Sequence, residues 1–149
     1  MRGKVAFDTN VLIDYPATLE TTDFLSSVVV QEITAGSKDE DETKTWERVS
    51  LRFAAKGRLL VPAAQDWWFA GKILSALLRG QRSGRSSQTV KIDKEEQRRL
   101  VRDTLIARTV KSVNATLITR NVKDFEKIKR FCNVKLMLSE TFFGYPPGG

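Results

Sequence analysis

Four acids set far apart along the chain are the residues whose placement suggests chemistry. Asp8 closes the apolar start of VAFDTNVLID, residues 5–14, and Glu32 follows the three valines of VVVQEITAG, residues 28–36. Asp103 falls inside a stretch that is otherwise apolar at helical spacing, and Asp124 lies within RNVKDFEKI, residues 120–128. A carboxylate in an apolar run costs stability unless something positive compensates it. Gathered at one place, four carboxylates oppose one another's ionisation, so a shared site calls for a cation. Mg²⁺ or Mn²⁺ suits it, because these hard ions take oxygen ligands, keep several waters and bind through a few carboxylates plus substrate phosphate oxygens. Ions held this way can activate a water and stabilise the leaving oxygen in phosphodiester cleavage.

Composition narrows the alternatives. The chain has no histidine, which removes Ser-His-Asp triads, Cys-His pairs and imidazole-ligated zinc together. Its single cysteine, Cys132, can form neither an internal disulfide nor a cysteine-built zinc site, and reads as a buried thiol in a reducing compartment. The net charge of +7 points to a polyanionic partner such as nucleic acid. With 41% hydrophobic and 29% charged residues in 149, one globular domain over 1–149 is expected. The start MRGKVAFD is basic and then apolar, but Asp8 and Asp14 interrupt it before a signal-peptide core is complete; a cytoplasmic protein without a membrane span is expected.

The elements that must position these acids alternate between short apolar strands and helices. Strands are predicted at 4–7, 28–30, 58–62, 115–119 and 134–138, from β-branched or apolar runs bounded by turn residues. Asn10 to Tyr15 begins a turn or short helix closed by Pro16. Helices are predicted at 45–56, stopping at Gly57, and at 63–79, ending at Gly80. A long helix opens at Asp93, with Glu96 in capping-box spacing and Val101, Leu105, Ile106, Val110 and Val113 on its apolar side. Residues 120–128 read as a short helix or turn, residues 80–91 as an exposed basic loop, and PPGG at the end as a fraying tail. The alternation implies an α/β sandwich around a mainly parallel sheet, whose ligands collect beyond the carboxyl ends of the strands. Asp8 would follow the first strand, Glu32 the second, and Asn121 and Asp124 the fourth.

Ordinary structural roles compete for the same residues. Asp8-Thr9-Asn10 suits a turn or a helix cap, Glu32 a first-turn helix acid, Asp103 an exposed helix position, and Asp124 a cap before Phe125. The densest acid run, Asp39 to Glu42, reads as a solvated face. Trp67 and Trp68 could stack on bases, but their spacing with Leu74 and Leu78 favours packing in the core or a dimer interface. Arg79, Arg82, Arg85 and Lys91, with Arg99 and Arg102 on the following helix, form a basic stretch near Asp103 that suits RNA phosphates.

VAFDTNVLID, the glutamate of VVVQEITAG, DTLIARTVKSVNATLITRN and VKDFEKI resemble, in this order and over almost the whole chain, the PIN-domain ribonucleases, above all the VapC-type toxins of bacterial and archaeal toxin-antitoxin pairs. The resemblance implies a PIN-like three-layer sandwich and a Mg²⁺- or Mn²⁺-dependent endoribonuclease that cuts structured RNA, is silenced by a cognate antitoxin, and forms a homodimer. It implies that Asp8 is the central metal ligand with Asp103 and Asp124 as its partners, and that Glu32 completes the site or orients the water. Thr9, Asn10, Thr119 and Asn121 then match the polar groups that fix the carboxylate rotamers. Where many relatives carry an acid directly after the TR pair, this chain has Asn121. Two other readings stay open: a PIN-fold module for RNA processing or binding without a toxin role, and a receiver-like signalling domain. The latter wants paired acids after the first strand, where Asp8-Thr9-Asn10 supplies one.

Overall fold

The computed structural model describes residues 2–15, 19–82 and 92–148, leaving the side chains of 81 and 82 aside. Strand β1 (Val5–Phe7) leads into helix α1 (Thr9–Asp14), strand β2 (Leu25–Ser26), helices α2 (Ser27–Ala35) and α3 (Glu40–Ala55), and strand β3 (Leu59–Leu60). Helices α4 (Ala64–Arg82) and α5 (Lys94–Ser112) follow, then β4 (Thr116–Thr119), α6 (Val122–Lys129), β5 (Lys135–Leu138) and α7 (Ser139–Phe143).

All strand pairings are parallel. β4 lies between β1 and β5, with Val5 opposite Thr116 and Thr119 opposite Leu138. β2 pairs with β3, and a single bridge from Ala6 to Phe24 joins the two sheets into one order, β3-β2-β1-β4-β5. β1 and the last three residues of β4 are buried and read as continuous apolar runs, as expected of strands covered on both faces. Parallel pairing puts the carboxyl ends of β1 and β4 side by side, so the residues just after Phe7 and Thr119 become neighbours despite more than a hundred intervening positions.

Helix α5 is the central support. Leu100, Asp103 to Ala107, Thr109 and Val110 are all buried, and the hydroxyls of Thr104 and Thr109 donate to backbone carbonyls one turn earlier, so neither is left unsatisfied. Asp93 caps it, accepting the Glu96 N–H at 2.8 Å as the spacing predicts. The helix closes with Asn114 in the left-handed region, at φ 57°, a turn that asparagine tolerates and that sends the chain into β4. At the far end Phe142 and Phe143 pack on Phe7, Phe143 stacks on Tyr15 at 4.2 Å, and the Tyr15 hydroxyl donates to the Tyr145 carbonyl, tying the tail to β1 and α1.

Several expectations are corrected. Val28 to Val30 form the start of helix α2, and the strand lies earlier, at Leu25–Ser26. Ser26 overrides the β-propensity of three valines: its Oγ accepts from the Val28 and Val29 N–H groups, while Val29 and Ile33, one turn apart, bury together. Helix α3 begins at Glu40 because Asp39 accepts from the Glu42 N–H, so the acid run forms an exposed first turn, favourably placed at the positive end of the helix. Gly80 does not end α4, which runs on to Arg82; one glycine costs a helix about 1 kcal/mol, less than packing against α5 returns. Trp67 and Trp68 are 56% and 67% exposed, so the helical apolar stripe closes on Ile73 without them. Cys132 is buried, and burial pushes its thiol pKa up. Among the described residues no helix is long and apolar enough to cross a membrane.

Candidate functional site

Asp8 leaves β1 still in sheet register, its N–H donating to the Ile118 carbonyl at 2.9 Å. That places its carboxylate beyond the sheet edge and at the N-terminus of α1, which it caps. Both carboxylate oxygens are held: Oδ1 accepts the Thr9 N–H at 2.8 Å, and Oδ2 accepts the Thr119 hydroxyl at 2.9 Å. Thr119 is fully buried at the end of β4, and its Oγ1 also accepts the Asn121 N–H at 3.1 Å. One hydroxyl therefore fixes the Asp8 rotamer and the turn that opens α6. Asp8 takes the cap role that Asp8-Thr9-Asn10 suits, and the tether from the neighbouring strand is more than a cap requires.

The other acids arrive from helices. Glu32 sits in the second turn of α2, not after a strand, and reaches the cleft from the flank of the stripe that Val29 and Ile33 bury in the core. Asp103 is 7% exposed in the middle of α5, and no side-chain hydrogen bond to it is made among the described residues. Asp124 is half-buried in the first turn of α6. A single cleft of about 390 Å³ is lined by Asp8, Glu32, Asp103 and Asp124, together with Thr9, Asn10 and Asn121. Arg99 and Arg102 of α5 lie on the same wall.

The electrostatics follow from crowding. The Asp103 pKa is raised from 3.8 to about 7, first by burial and then by the Asp8 charge, with smaller upward pushes from Asp124 and Glu32; Arg102 pulls against them. Burial also raises Asp8, opposed by the Thr9 N–H, the Thr119 hydroxyl and Arg102. Glu32 is raised by burial, opposed first by Arg102. Arg102 Nε stands 3.1 Å from Glu32 Oε1, but that oxygen receives no well-directed hydrogen bond: the pair is held by charge. Thr9 Oγ1, close enough to favour the Glu32 charge, is likewise buried without a hydrogen-bond partner.

This donor set fits a hard divalent cation: it is all oxygen, over-supplied with negative charge, and includes two buried oxygens lacking a directed donor. Among the described residues, no group of three or more acid side chains stands at the spacing of a formed metal site. As placed, the four acids share a cleft and not a coordination sphere.

The basic residues divide. Arg99 lines the cleft and also an adjoining hollow of about 580 Å³, which shares Asp103 and Asp124 and adds Lys127 and Arg130. These last two escaped the sequence reading, although the lysines of α6 recur along one helix. Arg79 instead lines a separate hollow on α4 with Trp67, Trp68 and Lys72. Arg85, Lys91 and the side chain of Arg82 fall outside the described residues.

No protein-family model matches the chain, and no curated protein does. Solved structures do. A chain in the structure of FitAB bound to an IR36 DNA fragment is 18% identical, with 91% of this chain and 94% of that one covered and a TM-score of 0.51. A chain in the crystal structure of VapBC2 from Rickettsia felis, bound to a DNA fragment from their promoter, is 21% identical, with 91% and 98% covered and a TM-score of 0.53. At these identities the likeness is one of fold: an α/β sandwich of PIN-like architecture, with a parallel central sheet flanked by helices.

Proposed function

We propose that the chain is a Mg²⁺- or Mn²⁺-dependent endoribonuclease, the toxin of a toxin-antitoxin pair, working as a homodimer against RNA and restrained by a cognate antitoxin. The observation that carries the reading is the convergence of Asp8, Glu32, Asp103 and Asp124, from four separate segments, on one cleft at the carboxyl end of a parallel sheet. The likeness in fold to chains of FitAB and VapBC2 supports it, as does the resemblance of the DTN and DTLIA segments to VapC-type toxins.

In this reading Asp8, Asp103 and Asp124 hold the cation, with Thr119 and the Thr9 N–H keeping Asp8 aimed. A bound divalent ion would relieve the repulsion among the acids and supply Lewis-acid activation of a water and of the leaving oxygen. Glu32, whose pKa burial raises, takes the proton of the attacking water. Arg99, Lys127 and Arg130 meet the phosphates along the adjoining hollow, offsetting the field of the acids. Asn10 and Asn121, exposed at the cleft mouth, contact substrate or a water.

A second reading, an RNA-binding module that does not cut, draws on the absence of metal-spaced acids among the described residues. Incubating purified protein with structured RNA, with Mn²⁺ and with chelator, separates the two. Cleavage that needs Mn²⁺ and disappears in Asp8→Asn supports the nuclease; retention of RNA without cleavage under every metal condition supports the binding module.

A further inference from the structure

Arg102 pairs with an acid in the cleft, although its place in a basic stretch suits it to RNA. Among the described residues it makes the one ion pair within the cleft, Nε to Glu32 Oε1 at 3.1 Å. It bridges α5 to α2, so a guanidinium from the helix that carries Asp103 neutralises the acid of a different helix. Its side chain is 37% exposed and also lines a neighbouring groove of about 820 Å³, whose apolar wall includes Val28, Trp67, Val101 and Leu105. The arginine stem therefore has apolar surface to lie along on the groove side, and its charged head, part-exposed, can leave Glu32 without being stranded in the core.

We propose that Arg102 is a built-in counter-cation: it holds Glu32 while the cleft lacks a metal, and a divalent ion binds in competition with it. The inference rests on the reading of the cleft as a metal site. A guanidinium already paired with Glu32 lowers the charge available to a cation and must be drawn off before Glu32 faces the metal side of the cleft. Arg102 is then a positioning residue whose removal tightens metal binding, the reverse of what loss of a structural or ligating residue does.

Mn²⁺ alone is the probe, titrated into the purified full chain and followed by the electron paramagnetic resonance of the free ion. Arg102→Gln is expected to bind Mn²⁺ roughly tenfold more tightly than wild type, since a unit charge a few ångströms away is removed. Arg102→Met, which keeps the stem against the groove, is expected to do the same, and Arg102→Lys to restore affinity close to wild type. In thermal melts, the gap between chelator and Mn²⁺ is expected to widen in both neutral variants. Unchanged or weaker Mn²⁺ binding in both neutral variants, with wild type binding normally, would overturn the role of Arg102 and leave the metal reading standing. Absence of Mn²⁺ binding in wild type and variants alike would overturn both.

Discussion

The two sides of the acidic cleft are built on different principles. On the strand side, Asp8 is fixed by the sheet register, the Thr9 N–H and the Thr119 hydroxyl, and the same hydroxyl anchors the turn toward Asp124. On the helix side, Glu32 and Asp103 are placed by the burial of their helices, and among the described residues Glu32 meets the charge of Arg102 and the nearby Thr9 hydroxyl without a well-directed hydrogen bond to Oε1. The difference teaches where rigidity and where adjustability reside: directed hydrogen bonds leave Asp8 one orientation, whereas charge alone lets Glu32 and Asp103 rearrange as the cation content of the cleft changes.

The largest effect is expected at the rigid side. Asp8→Asn removes the proposed central ligand while keeping the side-chain shape, with one of the two accepting oxygens replaced by an amide donor, and should lower Mn²⁺ affinity and RNA cleavage by more than roughly a hundredfold, the upper range for a supporting residue. Calorimetric titration and a cleavage time course measure both. Next comes Thr119→Val. Losing the donor to Asp8 Oδ2 and the acceptor for the Asn121 N–H should cost roughly 10–100-fold in metal affinity or activity. Thr9→Val, which deletes a hydroxyl without a hydrogen bond, should cost far less. Equal losses in the two variants would erase the contrast between tethered and untethered groups.

The helix side predicts a pH effect of opposite sense to a salt bridge. Asp103 keeps its proton in the folded chain up to about pH 7, while the unfolded chain releases it near the ordinary 3.8. Between those values the folded state binds more protons, so stability falls as pH rises through that window and levels off above it. In chelator, Asp103→Asn should therefore melt higher than wild type at about pH 8, by on the order of 2–4 kcal/mol, and nearly equal to it at about pH 4. Melting curves at the two pH values decide it; an Asn variant less stable at both would mean that the carboxylate is structurally required. The smallest effect expected is in RNA affinity. Arg99→Ala should weaken binding several-fold and lower the salt dependence by about one phosphate contact, while Arg79→Ala, on the far hollow of α4, should change it less.

The strand side was also the legible side. Asp8 could be placed from an apolar run ending in an acid, and the pairing of β1 with β4 follows from two short apolar strands separated by helices. Thr119 and Asp124 then come with the fourth strand. Glu32 shares the cleft of the other acids, but by a route the sequence reading did not foresee: three valines indicated a strand, and the cap at Ser26 and the burial of Val29 with Ile33 make the segment a helix. Trp67 and Trp68 are not core for a related reason, because helical spacing identifies a stripe but not which edge of it the chain's own packing covers; their exposure leaves the dimer-interface alternative in place. Arg102 was hidden by its neighbours. In a stretch rich in arginine, composition says that the surface is basic, and no local pattern reveals that one guanidinium turns inward to an acid on another helix.

The most direct test is cleavage of a structured RNA by purified wild type and Asp8→Asn, each with Mn²⁺ and with chelator, together with a melt to show that the variant is folded. The account predicts cutting by wild type in Mn²⁺ alone, and none by folded Asp8→Asn under either condition. Undiminished Mn²⁺-dependent cutting by the variant would contradict it, as would wild type that neither cuts RNA nor binds Mn²⁺.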